Sequence, residues 1–430
     1  MNRRIIRIGA LVLVGALSAA GSAGAATKTT KKKITKTTTK VAATAAPSAP
    51  TTAAVAATIL PAKPTKSEIV IGVPVALSGS SADSGNLSRV NAEAWGKWVN
   101  ANGGINGHPV KLVIADSGPD AVKGLATLKQ MVEGDKVLAV VGEGDPGEAG
   151  WLPYLQESKV PTIGGGAGNP PWYKNSYLFA LGHSNFIGFL STPLLAQQVG
   201  AKTMFQVVCA EIAGCAEAGR LSEPIALQIG IEYAGTIKVS GSAPSYTAEC
   251  LAIKQANAGY VHLWVAAAGV ARVAAECDKQ GVQAIYGGSP GGWNVSTLAT
   301  LPASVKIEAM TQGFPWWVDD APVKSYRDIM AKYANGEFRG AYGTYTWSSL
   351  ELFRKALANV SDNPTRQEVV DSMYKLKDET LDGLLANKIN FTNGQNSTEW
   401  RCFFLNAYQG GKFSSPKGGL TPTCIPYSLR

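Results

Sequence analysis

The sequence predicts an α/β fold built from two doubly wound lobes. Short apolar runs alternate with longer segments of helical periodicity from Ser67 onward, and that alternation restarts near Thr203 after a first series has ended. No tandem repeat with a period of roughly 20 to 50 residues accompanies it, which excludes solenoids and propellers.

The first series opens with a strand over 69–76 and a Gly/Ser-rich turn. A helix follows in which Ala92, Trp95, Trp98 and Val99 recur at helical spacing, and Asn102-Gly103-Gly104 ends it. A strand over 110–115 closes on Asp116, a helix runs around 124–132, a third strand over 137–141 enters a glycine-rich turn, and a fourth begins at 161–163. The second series places strands at 203–208, 236–239, 261–265, 283–286 and 307–311.

Ahead of this lies a different kind of sequence. Arg3, Arg4 and Arg7 precede an apolar stretch over 8–20, and Ala23-Gly24-Ala25 fits a small-residue cleavage site, so 1–25 reads as an export signal. The Arg3-Arg4 pair leaves the twin-arginine route open beside the general secretory one. The stretch is too short for a membrane span, which needs about 20 apolar residues. Residues 26–66 are dominated by Thr, Lys, Ala and Pro, and they read as a disordered linker. The first cysteine is Cys209, so a lipidated cysteine directly after the signal is not expected. A secreted or envelope-held chain is.

Charge follows the same division. The 430 residues carry 40 Lys or Arg and 31 Asp or Glu, but residues 1–66 hold 11 of the basic residues and none of the acidic ones. The remainder is close to neutral, so the net charge of +9 is no argument for nucleic-acid binding. Six cysteines in an exported chain imply disulfides. Proximity pairs Cys209 with Cys215, Cys250 with Cys277, and Cys402 with Cys424. Cys250 reads as early in one helix and Cys277 as late in the next, so Cys215 with Cys250 stays open as an alternative.

The stretch IVIGVPVALSGSSADSG followed by AWGKWVNANGGINGHPVKLVIADSGPD resembles the leucine/isoleucine/valine-type solute-binding proteins of ABC transporters, the type I periplasmic family. VLAVVGEG, KVPTIGGG, ECDKQGV, AYGTYTWSSLELFRKAL and LLANKINFTNGQ extend the resemblance over 67 to about 410. The resemblance implies two Rossmann-like lobes joined by a three-strand hinge, with ligand held between them. Lobe 1 is expected over 67–182 and 313–385, and lobe 2 over 183–312 and 386–430. It further implies a membrane permease as partner and a monomer in solution.

In open α/β sheets, ligands sit beyond the carboxyl ends of the strands. That rule selects Ser80 and Ser81 after the first strand, as hydroxyl donors or as caps of the following helix. After the third strand it selects Glu143 and Asp145, where the family usually offers Ser or Thr. Acidic groups there disfavour a ligand carboxylate and give weight to hydroxyl-rich, amide or cationic solutes, unless they cap the next helix. Gly166 and Ala167 would expose backbone N–H groups beside Gly165. From the second lobe come Glu211, Trp264 and Trp293, and near the crossings Tyr345, Trp316 and Trp317, whose aromatic faces suit stacking or core packing.

An enzyme is not expected. His108, His183 and His262 lack metal-ligand spacing, and neither a G-x-S-x-G elbow nor a phosphate-binding loop is present. No cofactor or metal is called for. The expected function is capture of a small polar or amphipathic solute, such as an amino acid, amide or aromatic compound, for an ABC transporter. A ligand sensor of the same fold reporting to a signalling partner is the alternative.

Overall fold

The computed structural model describes residues 64–429 apart from 119, 144–147, 165–169, 183–184, 211–214, 289 and 395–399. The expected signal (1–25) and nearly all of the linker lie outside the described residues. Thr65 and Lys66 donate backbone hydrogen bonds to Gly107 O, and Lys66 Nζ pairs with Asp362 at 2.8 Å, so packing has begun by residue 65.

Two sheets carry the fold. The first contains β1 (Ile69–Val75), β2 (Val110–Asp116), β3 (Ala139–Glu143), β4 (Thr162–Gly164) and β5 (Leu178–Phe179) in the order β2-β1-β3-β4-β5, all parallel. Strands buried on both faces read as continuous apolar runs, and β1 (IVIGVPV) is one. In β3, Ala139 and Val141 join the core formed with α1 (Ala82–Ala101), whereas Val140 packs with α2 (Ala121–Lys129) and α3 (Leu152–Glu157).

The second sheet contains β6 (Thr203–Cys209), β7 (Glu232–Val239), β8 (Tyr260–Trp264), β9 (Ile285–Gly288), β10 (Lys306–Thr311), β11 (Cys402–Gln409) and β12 (Lys412–Ser414), in the order β12-β11-β10-β9-β8-β6-β7, with β13 (Pro422–Cys424) also on β11. Strands β6 to β10 are parallel; β11 runs antiparallel to β10, β12 and β13. Its faces are covered by α4 (Asn185–Gln198) and α5 (Cys215–Gln228) on one side, and by α6 (Thr247–Gln255) and α7 (Ala267–Lys279) on the other. Strand β7 begins four residues before the sequence pattern places it. It is an edge strand, half exposed, and its pairing with β6 shifts register near Gly235, so its start lacks apolar alternation.

The chain passes between the halves three times: from β5 into α4, which packs on β6 and β10; from β10 toward α9 (Ala321–Tyr333) and α10 (Ala341–Ala356), which pack on α1; and back into β11 after α11 (Arg366–Met373). The short helix α8 (Val295–Leu298) follows β9 and packs on α7. One apolar cluster runs through both halves by way of Phe314 and Trp316.

The three disulfides join Cys209 to Cys215, Cys250 to Cys277, and Cys402 to Cys424, all in the second half. The Cys250–Cys277 bond forms because the start of α6 lies against the end of α7. Glu276 accepts Tyr246 N–H at 2.9 Å and the hydroxyls of Ser245 and Thr247 at 2.6 and 2.8 Å, which draws the two ends together.

Candidate functional site

The carboxyl ends of the parallel strands in the two sheets face one another. Helix α7, which follows β8, lies against the Gly79–Ser81 turn that follows β1, and the segment after β9 lies against the start of α10. The turn after β1 and the segment after β9 thus each meet the opposite half, at the strand ends where open α/β sheets place their ligands.

On the first half, Asp116 organises the turns that follow β1 and β2. Its Oδ1 accepts Leu77 N–H at 2.8 Å and Gly118 N–H at 2.9 Å, and its Oδ2 lies 2.5 Å from Lys123 Nζ. Burial acts to raise its pKa, but hydrogen bonds from Lys123, the Gly118 and Leu77 amides and the Ser78 hydroxyl outweigh it and hold the carboxyl down at about 2. Lys123 also reaches Ser78 Oγ at 3.3 Å, so this cation is engaged within the first half. Ser81 holds the N-cap position of α1, yet its side chain makes no hydrogen bond to the first turn, which leaves its hydroxyl to other partners.

Of the remaining first-half candidates, Ser80 and Glu143 are described in their backbone, while Asp145, Gly166 and Ala167 lie outside the described residues. Glu148, the last acidic residue of the turn after β3, is buried and accepts Trp172 Nε1–H at 3.2 Å, so it serves the core beneath the cleft.

On the second half, Glu211 lies outside the described residues, as does His183 at the first crossing. Trp264 ends β8 half buried, with its ring 4.5 Å from His262 and 5.2 Å from Phe189. Trp293 is buried and packs with Trp317 and Phe413, and Trp316 joins the same group. The rings of Trp293, Trp316 and Trp317 are thus engaged largely with one another and with Phe413.

Tyr345 is buried on α10 and converges with a residue that the sequence reading passed over. A Cβ at Gly182 would come within 2.3 Å of Gln312 Oε1 and 3.0 Å of Tyr345 Oη, so the absence of a side chain at 182 admits both polar groups. Gln312 directly follows β10, at the second passage between the halves. The strand-end rule already pointed to it, but its single amide gave no chemical signal.

The second sheet carries a buried polar stripe on β6 and β8. His262 is fully enclosed, and burial lowers its pKa to about 3, so the ring is neutral. Its Nδ1 lies 2.7 Å from Tyr260 Oη, while Nε2 and the amide of Gln206, the residue paired with it on β6, have no hydrogen-bond partner. His108 is structural too, with its ring nitrogens 2.7 Å from Ser67 O and 2.9 Å from Ser361 O. Among the described residues, no cluster of His, Cys, Asp or Glu is arranged to hold a metal ion, and no helix is long and apolar enough to cross a membrane.

The family model described as "Periplasmic binding protein" matches residues 68–412, most of the chain. The chain belongs to the periplasmic binding protein family. Its two sheets and three passages are the two-lobed type I form of that fold, and the family places such proteins outside the cytoplasm. This periplasmic binding protein is 37% identical over 76 residues to an "Amino acid binding protein" of Pseudomonas aeruginosa, a match covering 18% of this chain and 20% of the relative. It therefore spans about a fifth of that relative's length.

Among solved structures, it resembles the branched-chain amino acid transporter substrate binding protein LivJ of Streptococcus pneumoniae in complex with isoleucine. The TM-score is 0.66 at 17% identity, covering 83% of this chain and 99% of the other. It also resembles a solute binding protein of an ABC transporter from Rhodopseudomonas palustris in complex with p-hydroxybenzoic acid. There the TM-score is 0.68 at 16% identity, covering 83% and 97%. At these identities the likeness is one of fold.

Proposed function

We propose that this periplasmic binding protein captures one small polar or amphipathic solute, an amino acid, amide or aromatic compound, between its lobes and delivers it to an ABC transporter permease without chemical change. The observation that carries this reading is the cleft itself: the carboxyl ends of the parallel strands in the two sheets face one another across three chain passages. That is the geometry in which contacts from both sides stabilise a closed form. The relatives bound to isoleucine and to p-hydroxybenzoic acid show that the fold accepts both classes.

In this reading lobe 1 comprises 67–182 and 313–385, and lobe 2 comprises 183–312 and 386–430. Ser80, Ser81, Glu143, Asp145, Gly166 and Ala167 approach the solute from the first lobe, Glu211, Trp264 and Trp293 from the second. Gln312 and Tyr345 supply hydrogen bonds from the floor. Residues 1–25 direct export, 26–66 form the linker, and the folded part acts as a monomer.

The test is thermal unfolding of the mature chain against amino acids, amides, aromatic acids, polyols and sugars. A solute at 100 times its Kd adds about 2.7 kcal/mol of stability. A shift confined to one class identifies it, and recovery of the solute intact excludes turnover. No shift with any amino acid, amide or aromatic acid overturns the solute assignment. Tyr345→Phe and Gln312→Ala should each weaken binding of the identified solute roughly tenfold, the usual cost of leaving a polar contact unmade; calorimetry checks this.

A further inference from the structure

We propose that the lead-in segments of α8 and α10 form a latch, closing the two lobes by reciprocal backbone hydrogen bonds that break when the lobes part. The first residues of any helix carry N–H groups without an intrahelical acceptor. Here two helices from opposite lobes satisfy one another. Val295, the first residue of α8, donates its N–H to Arg339 O at 3.1 Å, and Ala341, the first residue of α10, donates to Trp293 O at 2.9 Å. Asn294 and Gly340, the two N-cap residues, face each other as an antiparallel bridge.

The two sides belong to different lobes. Helix α8 follows β9 and packs on α7, whereas α10 packs on α1, β3 and β4. The fit is close: a Cβ on Gly340 would meet Leu87 Cδ1 at 2.5 Å and Asn294 Cβ at 2.9 Å, so the bridge forms only where residue 340 lacks a side chain. Trp293 is buried behind it. Both donors are helix-start amides that water can satisfy once the lobes separate, so the latch opens without leaving a buried orphan. Each bond shifts the closed-to-open ratio by on the order of fivefold, a size suited to reversible closure.

This inference rests on the two-lobed hinge reading but not on any solute. It is tested on the exported chain with no solute added. Proline is tolerated at the first position of a helix and lacks the N–H, provided the preceding residue is extended. Asn294 (φ −148°, ψ 159°) and Gly340 (φ −173°, ψ 160°) both are. Val295→Pro with Ala341→Pro therefore deletes both bonds while keeping both helices.

Spin labels on cysteines introduced at the exposed positions Val122 (lobe 1) and Leu251 (lobe 2) report the separation, since all six native cysteines are in disulfides. The double variant should shift and broaden the distance distribution relative to the labelled parent, and each single proline should do so in part. An unchanged distribution, with the circular dichroism spectrum and cooperative melting retained, overturns the latch.

Hydrogen exchange on the unmutated protein decides independently, including where the double variant fails to fold. The Val295 and Ala341 amides should show matched protection well below that of β3 and β8. Protection equal to the core would mean that the segments separate only on global unfolding, and the latch would fall.

Discussion

The two lobes share a parallel-sheet design but are secured differently. The first lobe has no disulfide and relies on packing: Trp95 is fully buried on α1, its Nε1 donates to Glu351 Oε1 at 2.6 Å, and Trp98 stacks on Trp347 with ring centroids 5.7 Å apart. The second lobe carries all three disulfides, and its central strands bury the Gln206, Tyr260 and His262 side chains among apolar residues. Buried polar groups without partners cost stability, and cross-links that restrict the unfolded chain offset such a cost. The same architecture thus reaches stability by packing in one lobe and by covalent restraint in the other.

The largest effect should come from breaking the packed lobe. Trp95→Ala removes a fully enclosed ring and leaves the Glu351 carboxylate short of a donor, at a cost of about 4 kcal/mol. If the lobes are separately secured, hydrogen exchange will show lost protection in β1 to β4 with β6 to β9 largely retained. Equal loss in both would show that the apolar cluster spanning the lobes makes them one cooperative unit, and the contrast would fail.

The converse perturbation is smaller. Replacing Cys250 and Cys277 by Ala opens a link across 27 residues between α6 and α7, for which chain entropy gives about 3.5 kcal/mol. Thermal unfolding should fall accordingly, with exchange accelerating in α6 and α7 before any first-lobe strand. A reductant should reproduce the second-lobe effect in the parent chain and leave first-lobe protection unaltered. A first-lobe loss of equal size would again erase the distinction.

What the sequence showed of this arrangement depended on how far the physics was local. Strand β1, a continuous apolar run ending in a Gly/Ser turn, was legible because burial on both faces leaves a compositional mark. The start of β7 was not, because an edge strand that is half exposed has no such mark. The strand-end rule could select the polar turn residues by their place in the sequence, yet their chemistry depends on what the fold brings opposite them. Gln312 shows the limit: its amide comes near Tyr345 only over Gly182, three residues far apart in the chain. The mutual engagement of Trp293, Trp316 and Trp317 with Phe413 was equally invisible, since Phe413 arrives from the far end of the sequence.

The smallest predicted effect concerns pH and separates the lobes by chemistry. His262 in the second lobe has a folded-state pKa of about 3, set by burial, against an ordinary value of 6.5. The unfolded chain therefore gains a proton below pH 6.5 that the folded chain refuses until pH 3. Stability is complete above pH 6.5 and declines as pH falls toward 3, by about 2 kcal/mol between pH 6.5 and pH 5. In the first lobe, Asp116 has its pKa lowered to about 2, so its contribution persists down to about pH 4 and is lost only as pH falls through 2. Denaturant midpoints measured at pH 7 and pH 5 should thus fall in the parent and fall less in His262→Gln, a neutral side chain of similar reach. An equal fall in both proteins would remove His262 as the source and shift the acid response to carboxylates shared by the two lobes.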